Sequence, residues 1–142
     1  MSLKKLLLLL ISLVFSAVGC AGIGPNATYY MGTTSFNYSL NYTSYMVKLN
    51  NHEIGAGFGG GMNTSPVKVG PQTVTWKDAK TGEVYTAKNQ VIITKEQLKG
   101  MKYLAAHLYP DDTIEIVTSL NWPNPTEKGL RWQERIRKNG AK

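Results

Sequence analysis

From Thr28 onward, bulky residues recur at every second position: Phe36, Tyr38, Leu40 and Tyr42, then Tyr45, Val47 and Leu49. Such alternation of aromatic and β-branched residues predicts strands with one face buried and the other polar. Asn50-Asn51 tolerates left-handed turn angles, so Tyr45 to Leu49 and His52 to Ile54 are expected to pair as a hairpin. Val74 and Trp76 alternate in a second strand that returns through Glu83 to Ala87, with Asp78 to Gly82 supplying the turn. Tyr103 to Tyr109 and Thr113 to Ser119 flank Pro110-Asp111-Asp112 as a third pair, and Val91 to Ile93 is a further short strand. Thr94-Lys95-Glu96-Gln97 has the form of a capping box and Gly100 that of a C-cap, which brackets a short helix containing Leu98. Trp122-Pro123-Asn124-Pro125 stops any strand. Thr126 then caps a helix running to Asn139, with Trp132 and Ile136 as its apolar stripe and Gly129 weakening its first turn. These elements predict an antiparallel β-sandwich of immunoglobulin-like type with about seven or eight strands, one short helix and a C-terminal helix. A partly open barrel is the alternative.

The start of the chain has a different pattern. Leu6 to Phe15 is an apolar run preceded by Lys4 and Lys5 and followed by the small residues Ala17-Val18-Gly19. A basic segment, an apolar segment and a small-residue break make a secretory signal. A membrane-spanning helix needs about 20 apolar residues, and this run is shorter. Cys20, the only cysteine, stands at the break. That position resembles the lipobox of bacterial lipoproteins, with Ala17 where Leu is commoner. The resemblance implies a lipid-bearing (palmitate) Cys20 as the new N-terminus, and Ala21 in place of Asp implies sorting to the outer membrane, facing the periplasm. A plain signal peptide with an incidental cysteine is the other reading. The expected organisation is a leader over residues 1–19, the acylated cysteine and a short tether over 20–27, the β-sandwich over 28–121 and a basic helical tail over 122–142. The tether would reach roughly 20 Å.

Charge and motifs narrow the function. Lys and Arg number 16 against 9 Asp and Glu, and the excess gathers in Lys128, Arg131, Arg135, Arg137, Lys138 and Lys142. Such a cluster suits anionic headgroups or an acidic protein partner, or is simply a solvated helix face. A lipid-anchored exported chain seldom meets nucleic acid. Gly55-Ala56-Gly57-Phe58-Gly59-Gly60-Gly61 lacks the Lys-Ser/Thr and the βαβ setting of a P-loop. It reads as a mobile surface loop or a bent strand edge that lets another backbone come close. His52 and His107 lie in separate predicted strands without partners at ligand spacing, so no metal or cofactor is expected. Asp111-Asp112 is turn chemistry, and no nucleophile elbow or His-Glu-x-x-His motif occurs. Binding is therefore expected in place of catalysis. The candidate partner-binding residues are Phe58 with Gly57, Gly59 and Gly60, and Trp132 with Arg135 in the tail.

Three segments carry a further resemblance: Val47-Lys48-Leu49-Asn50-Asn51 ahead of the glycine run, Val74-Thr75-Trp76-Lys77-Asp78, and Tyr103 to Ile116. Their order resembles a family of small bacterial lipoproteins often encoded beside phospholipase effectors of the type VI secretion system. The resemblance spans about residues 33 to 119. It implies an immunity protein that covers the toxin's active-site mouth, and it carries over no catalytic residue. Relatives often bear cysteines just after the glycine run, where this chain has Met62-Asn63-Thr64-Ser65. The alternatives are a structural outer-membrane lipoprotein of an envelope or secretion assembly, an inhibitor of a host hydrolase such as lysozyme, and an envelope hydrolase. The positive charge disfavours binding to a strongly basic hydrolase.

Overall fold

The computed structural model describes residues 27–40 and 43–140. The leader, Cys20, the tether through residue 26 and Tyr42 lie outside the described residues. The elements in order are β1 (Thr28–Asn37), β2 (Ser44–Leu49), β3 (His52–Glu53), β4 (Asn63–Lys68), β5 (Gly70–Gln72) and β6 (Val74–Asp78). They continue as β7 (Val84–Thr86), β8 (Val91–Ile93), α1 (Lys95–Leu98), β9 (Tyr103–Leu108), β10 (Ile114–Ser119) and α2 (Glu127–Gly140). The protein is mainly β, and its sheets do not close into a barrel. One sheet has the order β10-β9-β1-β4, a second β3-β2-β6-β7, and β5 pairs with β8. No described helix is long and apolar enough to cross a membrane.

The three expected hairpins form. Asn50 and Asn51 take φ of 50° and 69° at the tip of β2–β3, the double left-handed turn that matches strand twist. β6 returns as β7, and β9 as β10. The strands are not all antiparallel as expected. β1 and β9 run parallel, from Gly32 opposite Tyr103 to Asn37 opposite Leu108. A parallel pair needs a long crossover, and here the whole second sheet lies in the connection between the two strands. That pairing has no local signature in the chain.

One apolar cluster joins both larger sheets. Met31, Leu104, Ala106, Leu108, Ile114 and Ile116 of the first meet Val47, Leu49, Val74 and Trp76 of the second, with Leu98 of α1 among them. Burial alternates in β6 and in most of β10, as the residue pattern requires. It does not alternate in β9, where five consecutive residues are buried and both faces are covered. In β2 the register slips between Tyr45 and Lys48, and Met46 takes φ 48°. This bulge breaks the expected Tyr45, Val47, Leu49 face. Val47 and Leu49 are buried, while Tyr45 remains 37% exposed.

α1 is short but closed at its start. The Thr94 hydroxyl accepts from the Gln97 backbone N–H at 3.3 Å, and the Gln97 side chain accepts from the Thr94 N–H at 2.8 Å. Both bonds of the capping box are present. They seat Leu98 in the core, and the Gln97 carbonyl accepts from Thr118 of β10. Thr94→Ala is expected to cost about 1 kcal/mol in urea unfolding. An unchanged midpoint would mean that burial of Leu98 alone holds this turn.

Candidate functional site

The outer face of the first sheet carries a second, aromatic core. Phe36 of β1 stands opposite His107 of β9, which stands opposite Glu115 of β10, and Ala105 stands opposite Val117. Residues paired this way share a face. The glycine run and the C-terminal segment lie over this face.

The glycine run is tied down at several points. Gly55 N–H donates to the Thr33 carbonyl at 3.1 Å, and Gly59 N–H to the Ser35 carbonyl at 3.0 Å. Thr34 donates to the Gly61 carbonyl and Ser35 to the Gly55 carbonyl, at 2.5 and 2.7 Å. Close approach explains the glycines at two places. A Cβ on Gly55 would fall 1.9 Å from the Gly61 carbonyl oxygen, and one on Gly59 2.4 Å from the Phe36 ring. The expectation of a bent edge admitting another backbone is met at this neck. Phe58, at φ 55°, is carried at the tip. Its ring meets Phe36 and Tyr38 edge-on at 5.1 and 5.5 Å, yet the residue stays 41% exposed.

A row of rings continues from there. Phe36 stacks on His107 at 4.9 Å, Tyr38 on Tyr109 at 5.5 Å, and Tyr109 on Trp132 of α2 at 6.0 Å. Hydrogen bonds hold the row in place. Thr126 N–H donates to the Tyr38 oxygen at 2.9 Å, and that hydroxyl lies 2.7 Å from His107 Nδ1. Which of the two donates in the Tyr38–His107 bond depends on which ring nitrogen carries the imidazole proton. Tyr109 donates to the Glu115 carboxylate, so the Thr126 hydroxyl donates to the Tyr109 oxygen and accepts from Gly129 N–H. Burial lowers the His107 pKa from 6.5 to about 4, against the opposing pull of Glu115. Burial raises Tyr38 and Tyr109, the latter helped by its bond to Glu115. The histidine is thus a neutral, buried member of the row.

The segment leading to α2 completes the site. Trp122 donates its indole N–H to the Gly59 carbonyl at 3.3 Å, lies 5.7 Å from the Tyr103 ring, and is 52% exposed. Phe58 and Trp122 therefore flank Gly59 as two exposed aromatic rings. Beside them is a cavity of about 270 Å³ lined by Ala105, His107, Val117, Ser119 and the stretch from Asn121 to Asn124. The small Ala105 leaves the space that its neighbours surround.

Of the residues expected to bind a partner, Gly57, Phe58, Gly59 and Gly60 share the loop. Gly57 and Gly59 adopt φ of 80° and 81°, and Gly60 N–H closes a turn onto the Gly57 carbonyl. Trp132 lies at the far end of the aromatic row, and its ring is engaged by Tyr109 and by the Arg135 guanidinium 5.6 Å away. The structure links Trp132 to Phe58 through Tyr38 and Tyr109 but does not place them side by side. Nothing in the sequence marks Trp122 or the cavity: Trp122 stands there only as part of a strand stop, and no periodicity sets it out as a surface ring. Among the described residues, no three His, Cys, Asp or Glu side chains gather as metal ligands. No family profile, curated protein or solved structure matches the chain.

Proposed function

We propose that the protein is a periplasm-facing lipoprotein whose glycine-loop face binds a protein partner, as an immunity protein blocking a type VI secretion phospholipase toxin. The observation that supports this most is Phe58: a half-exposed ring at the tip of a loop whose neck and flank are hydrogen-bonded to β1. A contact held in place before binding loses little conformational freedom, and exposed aromatic rings are common anchors of interfaces. In this reading a lipid on Cys20 keeps the domain near the membrane the toxin attacks, which raises its local concentration there. The two four-stranded sheets are the halves of an immunoglobulin-like sandwich in the same reading. The fully buried Trp76 and the cluster shared by both sheets support that finer fold.

The test adds the purified exported chain to the phospholipase effector encoded beside its gene. A stoichiometric complex and loss of lipid hydrolysis are expected. Phe58→Ala, with its fold checked by circular dichroism, is expected to weaken that complex about tenfold or more. Unchanged affinity would remove Phe58 from the interface. Undiminished hydrolysis, with capture of resident envelope proteins instead, would favour a structural outer-membrane lipoprotein.

A further inference from the structure

One end of the first sheet gathers exposed apolar side chains and lysines. β1 and β9 start at this end and β4 and β10 finish there, since Thr28 stands opposite Lys68, Gly32 opposite Tyr103, and Tyr103 opposite Ser119. Tyr30 is 76% exposed, and Met101, Leu120 and Trp122 are exposed with it. The Tyr103 ring lies over Gly32 and 5.7 Å from Trp122, which borders the patch. Lys68, Lys99 and Lys102 are exposed around it, with Glu96 of α1 as the neighbouring acid. The acidic turn Asp111-Asp112 closes the opposite end of β9 and β10. The chain also enters the sheet at the lysine-bearing end. Six residues separate Cys20 from Ala27, which is buried at the foot of β1, so a lipid on Cys20 would hold this end within roughly 20 Å of a bilayer. Phe58 meets Phe36, six residues beyond Tyr30 on β1 and thus roughly 20 Å further from that end.

We propose that this end of the sheet is a membrane-docking rim: Tyr30, Met101, Leu120 and Trp122 enter the headgroup region of the bilayer, and Lys68, Lys99 and Lys102 pair with anionic headgroups. Rings with a polar tip and lysines with apolar stems are the side chains that settle at a membrane–water boundary, and each lysine near an anionic surface adds attraction. The inference rests on the lipoprotein reading of Cys20 and adds to it the orientation of the domain, with Phe58 held clear of the surface for its partner.

The test uses the exported chain, residues 20–142, carrying Cys20→Ser so that binding is read without the anchor. Vesicles of phosphatidylcholine and phosphatidylglycerol are expected to carry it down on sedimentation. Lys99→Gln with Lys102→Gln is expected to weaken binding about fivefold per lysine, and Tyr30→Ser with Leu120→Ser about tenfold. All four positions are exposed, so the fold is expected to survive, as circular dichroism checks. Two probes locate the contact: lipids brominated on their acyl chains are expected to quench an added tryptophan in Tyr30→Trp and not in Phe58→Trp. No vesicle binding, binding that depends on Arg131 and Arg135 in place of Lys99 and Lys102, or equal quenching at both probes would each overturn the rim. The lipoprotein reading is measured separately, by palmitate labelling of the full chain and its loss in Cys20→Ser. Vesicle binding without labelling leaves the rim and removes the anchor, and labelling without vesicle binding does the reverse. Phe58→Ala, which tests the toxin contact, is expected to leave vesicle binding unchanged.

Discussion

Gly129→Ala is expected to destabilise the folded chain by about 3 kcal/mol, although alanine is the better helix former by about 1 kcal/mol. The reason is what lies under the first turn of α2. A Cβ at residue 129 would fall 2.3 Å from both Cε1 and Cζ of Tyr38. That ring has no room to retreat. It is fully buried, stacked along the row with Phe36 on one side and Tyr109 on the other, and its hydroxyl is bound to His107 and Thr126. Nor can the helix lift freely, because Thr126 caps Gly129 N–H and Trp132, one turn on, stacks on Tyr109. The added methyl must therefore break the Tyr38 bonds or unseat α2. Urea unfolding followed by tryptophan fluorescence measures the loss, with the exposed Asn139→Ala as a control in the same helix. Stability equal to or above that of the parent chain would mean that α2 does not seat on Tyr38.

Gly129 also shows where the residue pattern could be read and where it could not. Local chemistry marked the hairpin at Asn50-Asn51, the turn at Pro110-Asp111-Asp112 and the capping box at Thr94, because each is decided by residues within a few positions of one another. The same local logic made Gly129 a weak point of a helix, since the ring it accommodates is far away in the chain. The parallel pairing of β1 with β9 was hidden for the same reason. A subtler sign was present in β9. Leu104-Ala105-Ala106-His107-Leu108-Tyr109 does not alternate, and a strand without alternation is one buried on both faces. Read that way, His107 belongs in an interior, where its ring must find a hydrogen-bond partner, as it does in Tyr38. The glycine run was legible as a place of close approach, but only the fold shows that it lies against Phe36 and that Trp122 clamps its Gly59.

Stability is expected to fall by about 3 kcal/mol as the pH drops from 6.5 to about 4, through His107 alone. Burial holds the folded-state pKa near 4, whereas the unfolded chain titrates at the ordinary 6.5. Between these values the unfolded state binds a proton that the folded state refuses, so stability rises with pH across this window. The contribution is complete above 6.5, shrinks on acidification and levels off below about 4, where the folded imidazole also becomes charged. Urea titrations at several pH values measure the slope. His107→Asn, which keeps an acceptor near Tyr38, is expected to remove this component whatever its effect on absolute stability. A second reading comes from the unmutated protein, in which the His107 ring signal should stay in its neutral position well below pH 6. A midpoint near 6.5 would refute the assignment. Protonation puts a charge on a buried ring that is bonded to Tyr38, and Tyr38 is the group that receives Thr126 N–H at the start of α2. Acid should therefore loosen the C-terminal helix before the sheets, seen as early loss of hydrogen-exchange protection across residues 127–139.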